Sequence, residues 1–202
     1  MAQILPPCGQ QQEISFQGCF ALGVVEPKEK GGDERGITLF ATATLLYYHT
    51  AEGPQASRRQ LGGRLKPIAN YAGQVALSWV SLHRQALALW LRTEEDQGGG
   101  MEPTGLHVSC GPLATVIEGP SIGCAVVVAA ISALTGRHVP VHTAVTAQMD
   151  LRGNVMGVGG LSMKMACAKV SPLFLHTLAF SDVIPSILII IIIIIITDVG
   201  FH

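Results

Sequence analysis

The sequence has almost no surplus charge of either sign. Its 13 basic residues face 14 acidic ones, a formal net charge of −1, so no global field draws the chain to nucleic acid or to an anionic membrane. Partners must be recognised by local chemistry. The five cysteines, Cys8, Cys19, Cys110, Cys124 and Cys167, are odd in number, widely spaced and never in a C-x-x-C pair. That pattern speaks against a disulfide framework or a zinc site, and for free buried thiols in a reducing compartment. Met1 to Gln12 has neither the basic start and apolar stretch of a secretory signal nor the Arg-rich amphipathic character of a transit peptide. No Gly-x-x-x-x-Gly-Lys-Ser/Thr occurs, so ATP is not expected to bind here through that motif, and no other cofactor is expected on this chain. No metal site is expected either: His138 and His142 have helical spacing, but Pro140 interrupts the helix that would face them together.

What is present is apolar. With 49% hydrophobic and 13% charged residues over 202 positions, the chain can build one ordinary domain with a real core, and has no room for a second of full size. Ile14 to Val25 and Ile37 to Thr50 are rich in β-branched and aromatic residues and flank the charged, Gly-containing Glu26–Gly36, which predicts two antiparallel strands joined by a long loop. From Ile68 the apolar positions Ile68, Tyr71, Val75, Trp79, Leu82, Ala86 and Leu89 step by three or four, predicting an amphipathic helix from about Pro67 to Leu91. Arg92 to Thr104, with Glu-Glu-Asp, three successive glycines and Pro103, reads as a flexible loop between a scaffold half and a chemical half. Beyond it the pattern predicts a strand over Leu106–Cys110, a helix from about Ser121 to Leu134, a strand over His142–Met149, a turn at Arg152-Gly153 and a helix after Gly160. Strands and helices alternate without a repeat, so the expected class is α+β.

The last segment differs from the rest. Ile187 to Ile196 is ten apolar residues, nine of them isoleucine, well short of the roughly 20 that cross a bilayer, and it is bounded by Asp182 and Asp198. In water such a run makes a sticky strand or an aggregation-prone tail. Lys169-Val170-Ser171 is also what a splice-donor sequence encodes when read through, and an isoleucine homopolymer is what a triplet microsatellite encodes. Residues after about Lys169 are therefore read as translated intron, an aberrant or disordered apolar tail.

Two segments carry chemistry. One is Glu118-Gly119-Pro120-Ser121-Ile122-Gly123; the other runs from Leu151-Arg152-Gly153 through Gly159-Gly160-Leu161-Ser162-Met163-Lys164. Taken singly, each has a plain structural explanation: a turn and cap for the first, a tight turn and a solvated lysine for the second. Taken together they supply the parts of an acyl-transfer site, because a serine hydroxyl becomes a nucleophile when a base takes its proton, and a neutral lysine can be that base. Lys164 lies between Met163 and Met165, follows the apolar Val155–Leu161 and stands in the first turn of its helix, where the positive dipole end disfavours an ammonium. Ser121, at the start of its own helix, sets an acyl oxyanion near backbone N–H groups.

These blocks, with Ala-Leu-Thr-Gly (Ala133–Gly136) and Ala-Val-Thr (Ala144–Thr146), resemble the proteolytic domain of Lon proteases in order and spacing. The separation of 43 positions between Ser121 and Lys164 is the one that family uses. The close match covers about His107 to Lys169, and a weaker one extends upstream through Gln60-Leu61-Gly62 and the Gln74–Val80 helix. Carried over by position, the resemblance implies Ser121 as nucleophile, Lys164 as general base, Thr146 as a hydrogen-bonding support for the lysine, and Glu118 and His107 as further supporting residues. It implies a Lon-like α+β domain over 14–169 with a flexible loop at 92–104, after an unassigned segment 1–13 and before the tail 170–202. It also implies a serine endopeptidase acting on unfolded or damaged proteins, assembled as a homohexamer. ATP and Mg would bind in an AAA+ ATPase module not found on this chain, which would then be a fragment. The family resembled occurs in bacteria, mitochondria and peroxisomes, and the splice-like Lys169-Val170-Ser171 points to a eukaryote, so the expected compartment is intracellular and reducing, the mitochondrial matrix ahead of the peroxisome or the cytoplasm.

Departures from the family pattern accompany the match. Glu118 is one methylene longer than the acid expected there, Ser109 stands where a second histidine is expected, and Thr146-Ala147-Gln148 replaces Thr-Gly-Glu. The family's final strands and helices are replaced by the tail. Two other readings therefore stay open: an inactive Lon-like assembly or interaction module, and a defective gene product that does not fold.

Overall fold

The computed structural model describes residues 18–25, 35–46, 58–83, 105–112, 114–136, 138–139, 143–169 and 176–179. Strands β1 (Gly18–Val25) and β2 (Arg35–Leu46) form the expected antiparallel pair, in register from Gly18 opposite Thr42 to Val25 opposite Arg35. On the far side of β2 lies antiparallel β5 (Gly105–Cys110), with β3 (Arg58–Gly62) parallel to it at the edge. On the far side of β1 lie β7 (Thr143–Thr146) and then β10 (His176–Ala179), both parallel. The sheet order is thus β10-β7-β1-β2-β5-β3. Two small pairs stand apart from it: β4 (Arg64–Leu65) beside β6 (Val116–Ile117), and β8 (Gln148–Met149) beside β9 (Val155–Met156). Strand β10 lies beyond the expected domain boundary at 169, so the ordered sheet extends past it.

Among the described residues three α-helices cover the sheet. Helix α2 (Gly123–Thr135) is buried on nearly every side, as an uncharged run of Val, Ala and Ile requires, and it packs on β1, β2, β5 and β7. Helix α1 (Pro67–Leu82) lies against α2, and its Pro67 occupies the first-turn position where a missing N–H is harmless. Helix α3 (Leu161–Lys169) packs on β1 and β2. Side-chain alternation along the strands separates two faces. Cys19, Ala21, Leu39, Ala41, Leu106, Val108 and Val145 join the core beneath α1 and α2, whereas Leu22 and Ala144 cluster with Ala168 of α3.

The helix α1 differs from its expectation twice. Its buried residues are Ala69, Ala72, Gly73, Val75, Ala76, Leu77, Trp79 and Val80, so Val75 and Trp79 of the expected face are inside, while Ile68 and Tyr71 are 64% and 68% exposed and Leu82 also faces out. Close approach decides the phase at the first turns: a Cβ on Gly73 would fall 2.5 Å from Leu61, so the small residues Ala69, Ala72 and Gly73 face inward there and Ile68 and Tyr71 are left outside. The described helix also closes at Leu82, because His83 turns out of helical geometry and its backbone N–H and Nδ1 both return to the Trp79 carbonyl, at 3.1 and 2.9 Å. Positions 84–91 of the expected helix, the 92–104 loop, segment 1–13 and the Ile-rich run lie outside the described residues.

Candidate active site

Ser121 sits in a single 3₁₀ turn, Pro120–Ile122, that leads into α2. The expected helix start at Ser121 is therefore this turn, with the α-helix proper beginning two residues later. Pro120 fixes the entry, and the Gly123 N–H closes on the Pro120 carbonyl. Two further bonds pin the turn to the end of β7: Ala147 N donates to the Ser121 carbonyl at 3.3 Å, and Cys124 N donates to the Ala147 carbonyl at 3.2 Å. This clamp explains why the predicted strand 142–149 is two strands. Ala147 turns its backbone out of the sheet to hold the serine, and the chain resumes pairing at Gln148 in the β8–β9 pair. The Gly123 and Cys124 N–H groups are thus engaged by the turn and its clamp. Ser121 itself is half-buried.

Lys164 approaches from the other face of the sheet. It is 4% exposed, and burial pushes its ammonium below the ordinary 10.5. Among the described residues its Nζ has no ion-pair or hydrogen-bond partner. The position of α3 is set by close backbone contacts: a Cβ on Gly160 would meet Val24 Cγ2 at 2.8 Å, and one on Gly36 would meet the Met163 carbonyl oxygen at 2.4 Å. Gly160 thus lies over Val24, and Ala168 packs with Leu22 and Ala144. Lys164 is midway between Gly160 and Ala168 and one turn from Ala168, so it shares the inward side of α3 at the level of Leu22 to Val24. That is also the level at which β7 ends.

Thr146, the last residue of β7, is fully buried, and its position two residues after Ala144 puts it on the α3 face. Its hydroxyl donates to the Leu22 carbonyl at 3.2 Å, which leaves its oxygen lone pairs to accept from another donor. Cys124, close to Ser121 in sequence, offers no rival nucleophile. Its thiol is buried, and burial pushes its pKa up to about 12. Cys110 is similarly raised to about 12, while Cys19 is raised further, and all three are free, as expected.

The two other expected supporting residues stand elsewhere. Glu118 is largely exposed and ion-paired with Lys66, at the other end of the serine loop. His107 faces Thr44 across the β2–β5 pair and lies against Gly62 of β3. It is three strands from β7, about 14 Å across, and six residues along β2 from Thr38, the partner of Leu22, about 20 Å. Sequence reasoning passed over Ala147, Leu22 and Lys66, which act largely through backbone groups that no side-chain motif reports. Among the described residues no group of histidine, cysteine or carboxylate side chains is arranged to hold a metal ion. No helix among them is long and apolar enough to cross a membrane.

A profile of the Lon protease (S16) C-terminal proteolytic domain matches residues 13–177, most of the chain. The chain belongs to the Lon proteolytic domain family. It is 30% identical over 176 residues to Lon protease of Halothermothrix orenii, covering 83% of this chain and 22% of that protein. It is 36% identical over 126 residues to Lon protease of Phenylobacterium zucineum, covering 61% of this chain and 15% of that one. With Lon protease 1 of Thermus thermophilus it shares 31% identity over 125 residues, 62% of this chain and 15% of that protein. The chain spans less than a quarter of the length of these relatives. The mixed strands and helices agree with the α+β Lon fold expected from the motifs.

Proposed function

We propose that the chain is a serine endopeptidase domain that cleaves unfolded polypeptides with Ser121 as nucleophile and Lys164 as general base. The observation that carries this reading is the buried Lys164, without a partner for its nitrogen among the described residues, at the level where β7 ends at Thr146, with Ala147 holding the Ser121 turn. A lysine so desolvated spends more time as the neutral amine that base catalysis needs. Its nitrogen takes the Ser121 Oγ proton as Oγ bonds to the peptide carbonyl carbon. The resulting oxyanion would be stabilised by backbone N–H groups at the serine turn. The lysine ammonium then gives its proton to the leaving amine, and water, deprotonated by the same lysine, releases the acyl group from Ser121. Thr146, its own proton engaged by Leu22, keeps lone pairs that would accept from the lysine once it takes up the serine proton.

In the longer protein this domain works beside an AAA+ ATPase module that binds ATP and Mg and feeds it substrate, as part of a homohexamer; the limited share of the relatives' length covered here supports the reading as a fragment. The test is hydrolysis of an unfolded fluorogenic peptide by the chain, with Ser121→Ala and Lys164→Ala beside it, without and with ATP. Activity lost in both variants and indifferent to ATP is the expected result. Activity that survives Ser121→Ala overturns the reading.

A further inference from the structure

The loop that carries Ser121 is held at both ends, and only one of the two anchors belongs to the site described above. Downstream, Ala147 clamps Ser121 and Cys124. Upstream, the anchor is Lys66. Its backbone N–H donates to the Ile117 carbonyl at 2.8 Å, and its side chain pairs with the carboxylate of Glu118, three positions before the serine. The strand pair β4–β6 sets the register, Arg64 opposite Val116 and Leu65 opposite Ile117. The Lys66 carbonyl meanwhile accepts from Asn70 N, at 2.9 Å, in the first turn of α1. Lys66 is therefore the joint at which α1, β4 and the serine loop meet.

We infer that Lys66 is a positioning residue for the nucleophile: its pairing with Glu118 fixes the span Glu118-Gly119-Pro120 and so the direction of the Ser121 hydroxyl. This rests on the reading of Ser121 as nucleophile. Between the anchors the span has one free joint. Gly119 places no side chain against the Ser121 Oγ, which lies 3.8 Å from where its Cβ would be, and Pro120 has a restricted φ. Release of Glu118 would move the upstream anchor back to the backbone at Ile117, leaving Glu118 and Gly119 to bridge to the Pro120 turn, and glycine constrains that bridge least. Both partners are more than half exposed, so the pair contributes little to folding and its influence is sensitive to salt. The longer acid at 118 noted in the sequence has the reach to meet Lys66 at the surface.

The test is the rate at which a fluorophosphonate probe acylates Ser121 in the 202-residue chain, in Lys66→Met, Lys66→Arg, Glu118→Gln, and the exchanged pair Lys66→Glu with Glu118→Lys. Expected are a roughly three- to fivefold slower acylation in Lys66→Met and in Glu118→Gln with melting temperatures near wild type, and recovery in Lys66→Arg and in the exchanged pair. The wild-type rate should also fall with ionic strength while the Lys66→Met rate does not. A Lys66→Met variant that reacts at the wild-type rate, with labelling still abolished by Ser121→Ala, overturns the positioning role and leaves the nucleophile standing. A slower rate that the exchanged pair fails to restore likewise overturns it. A wild-type chain that is not labelled, or a Ser121→Ala chain labelled as fast as wild type, overturns both.

Discussion

Replacing Lys164 by methionine should make the protein more stable at neutral pH while removing its activity. The lysine is 4% exposed, has no partner for its nitrogen among the described residues, and is depressed by burial below 10.5. In the unfolded chain it titrates at its ordinary value. Between the folded pKa and 10.5 the unfolded state binds more protons than the folded one, so stability rises with pH across that window, and the penalty is present in full below the folded pKa. Each unit of depression corresponds to about 1.4 kcal/mol, or roughly 3–5 °C in melting temperature for a chain of this size. Methionine keeps the length and apolar stem of lysine and removes the charge. Thermal melts of wild type and Lys164→Met from pH 6 to pH 10.5 should therefore show the variant ahead at the acid end and the two curves converging as pH approaches 10.5. Peptidase activity of the wild type should rise with pH through an inflection below 10.5. A variant less stable than wild type by the same amount at every pH would refute the reasoning, since the nitrogen would then be well solvated or paired.

Other substitutions test the frame around the site. Thr146→Val should lose about 1–3 kcal/mol in chemical denaturation, because it leaves the buried Leu22 carbonyl without its donor, and Thr146→Ser should recover most of it. Gly36→Ala drives a methyl into the Met163 carbonyl and Cys167 Cβ, so α3 should lift from β2; expected are a loss of about 1–3 kcal/mol and a fall in peptide hydrolysis, both read on the same preparation. The Asp150 carboxyl closes the β8–β9 turn. Burial alone would raise its pKa, but the Asn154 side chain and the backbone N–H groups of Asn154, Arg152 and Gly153 together lower it below 3.8. Its contribution is present above 3.8 and lost as pH falls through the folded value, so the advantage of wild type over Asp150→Asn in melting temperature should shrink in that acid range.

The candidate site was more legible in the sequence than the scaffold that holds it. Gly-Pro-Ser and Gly-Gly-Leu-x-x-Lys stand out because the proposed chemistry would need those residue types at particular places, and the β1–β2 pair follows from two apolar runs around a charged loop. The phase of α1 was hidden because hydrophobic periodicity ranks Ile68 and Tyr71 above alanine and glycine, whereas packing against Leu61 and α2 rewards the absence of a side chain. The pairs β4–β6 and β8–β9 are two residues per strand, too short for any alternation to register. His107 shows the opposite error: its place next to a motif in sequence says nothing of its place along a long strand, and β5 carries it toward Gly62 instead of toward Thr146.

The same geometry explains why the sheet must stop where it does. The Ser121 turn packs with α1 and α2, and α3 packs on the opposite face, so an unbroken β7 would stand as a wall between serine and lysine. Side chains from opposite faces can meet only past the end of a strand. β7 ends at Thr146, whose hydroxyl points to the lysine's face, and the next residue turns its peptide to the serine's side, with N–H to Ser121 and carbonyl to Cys124. Adjacent residues thus serve the two faces in turn. On the proposed mechanism, the break in pairing at Ala147 is what gives the proton a route from Ser121 to Lys164, and Ala147→Pro, which deletes the N–H held by Ser121, should abolish acylation even where both dyad residues are intact.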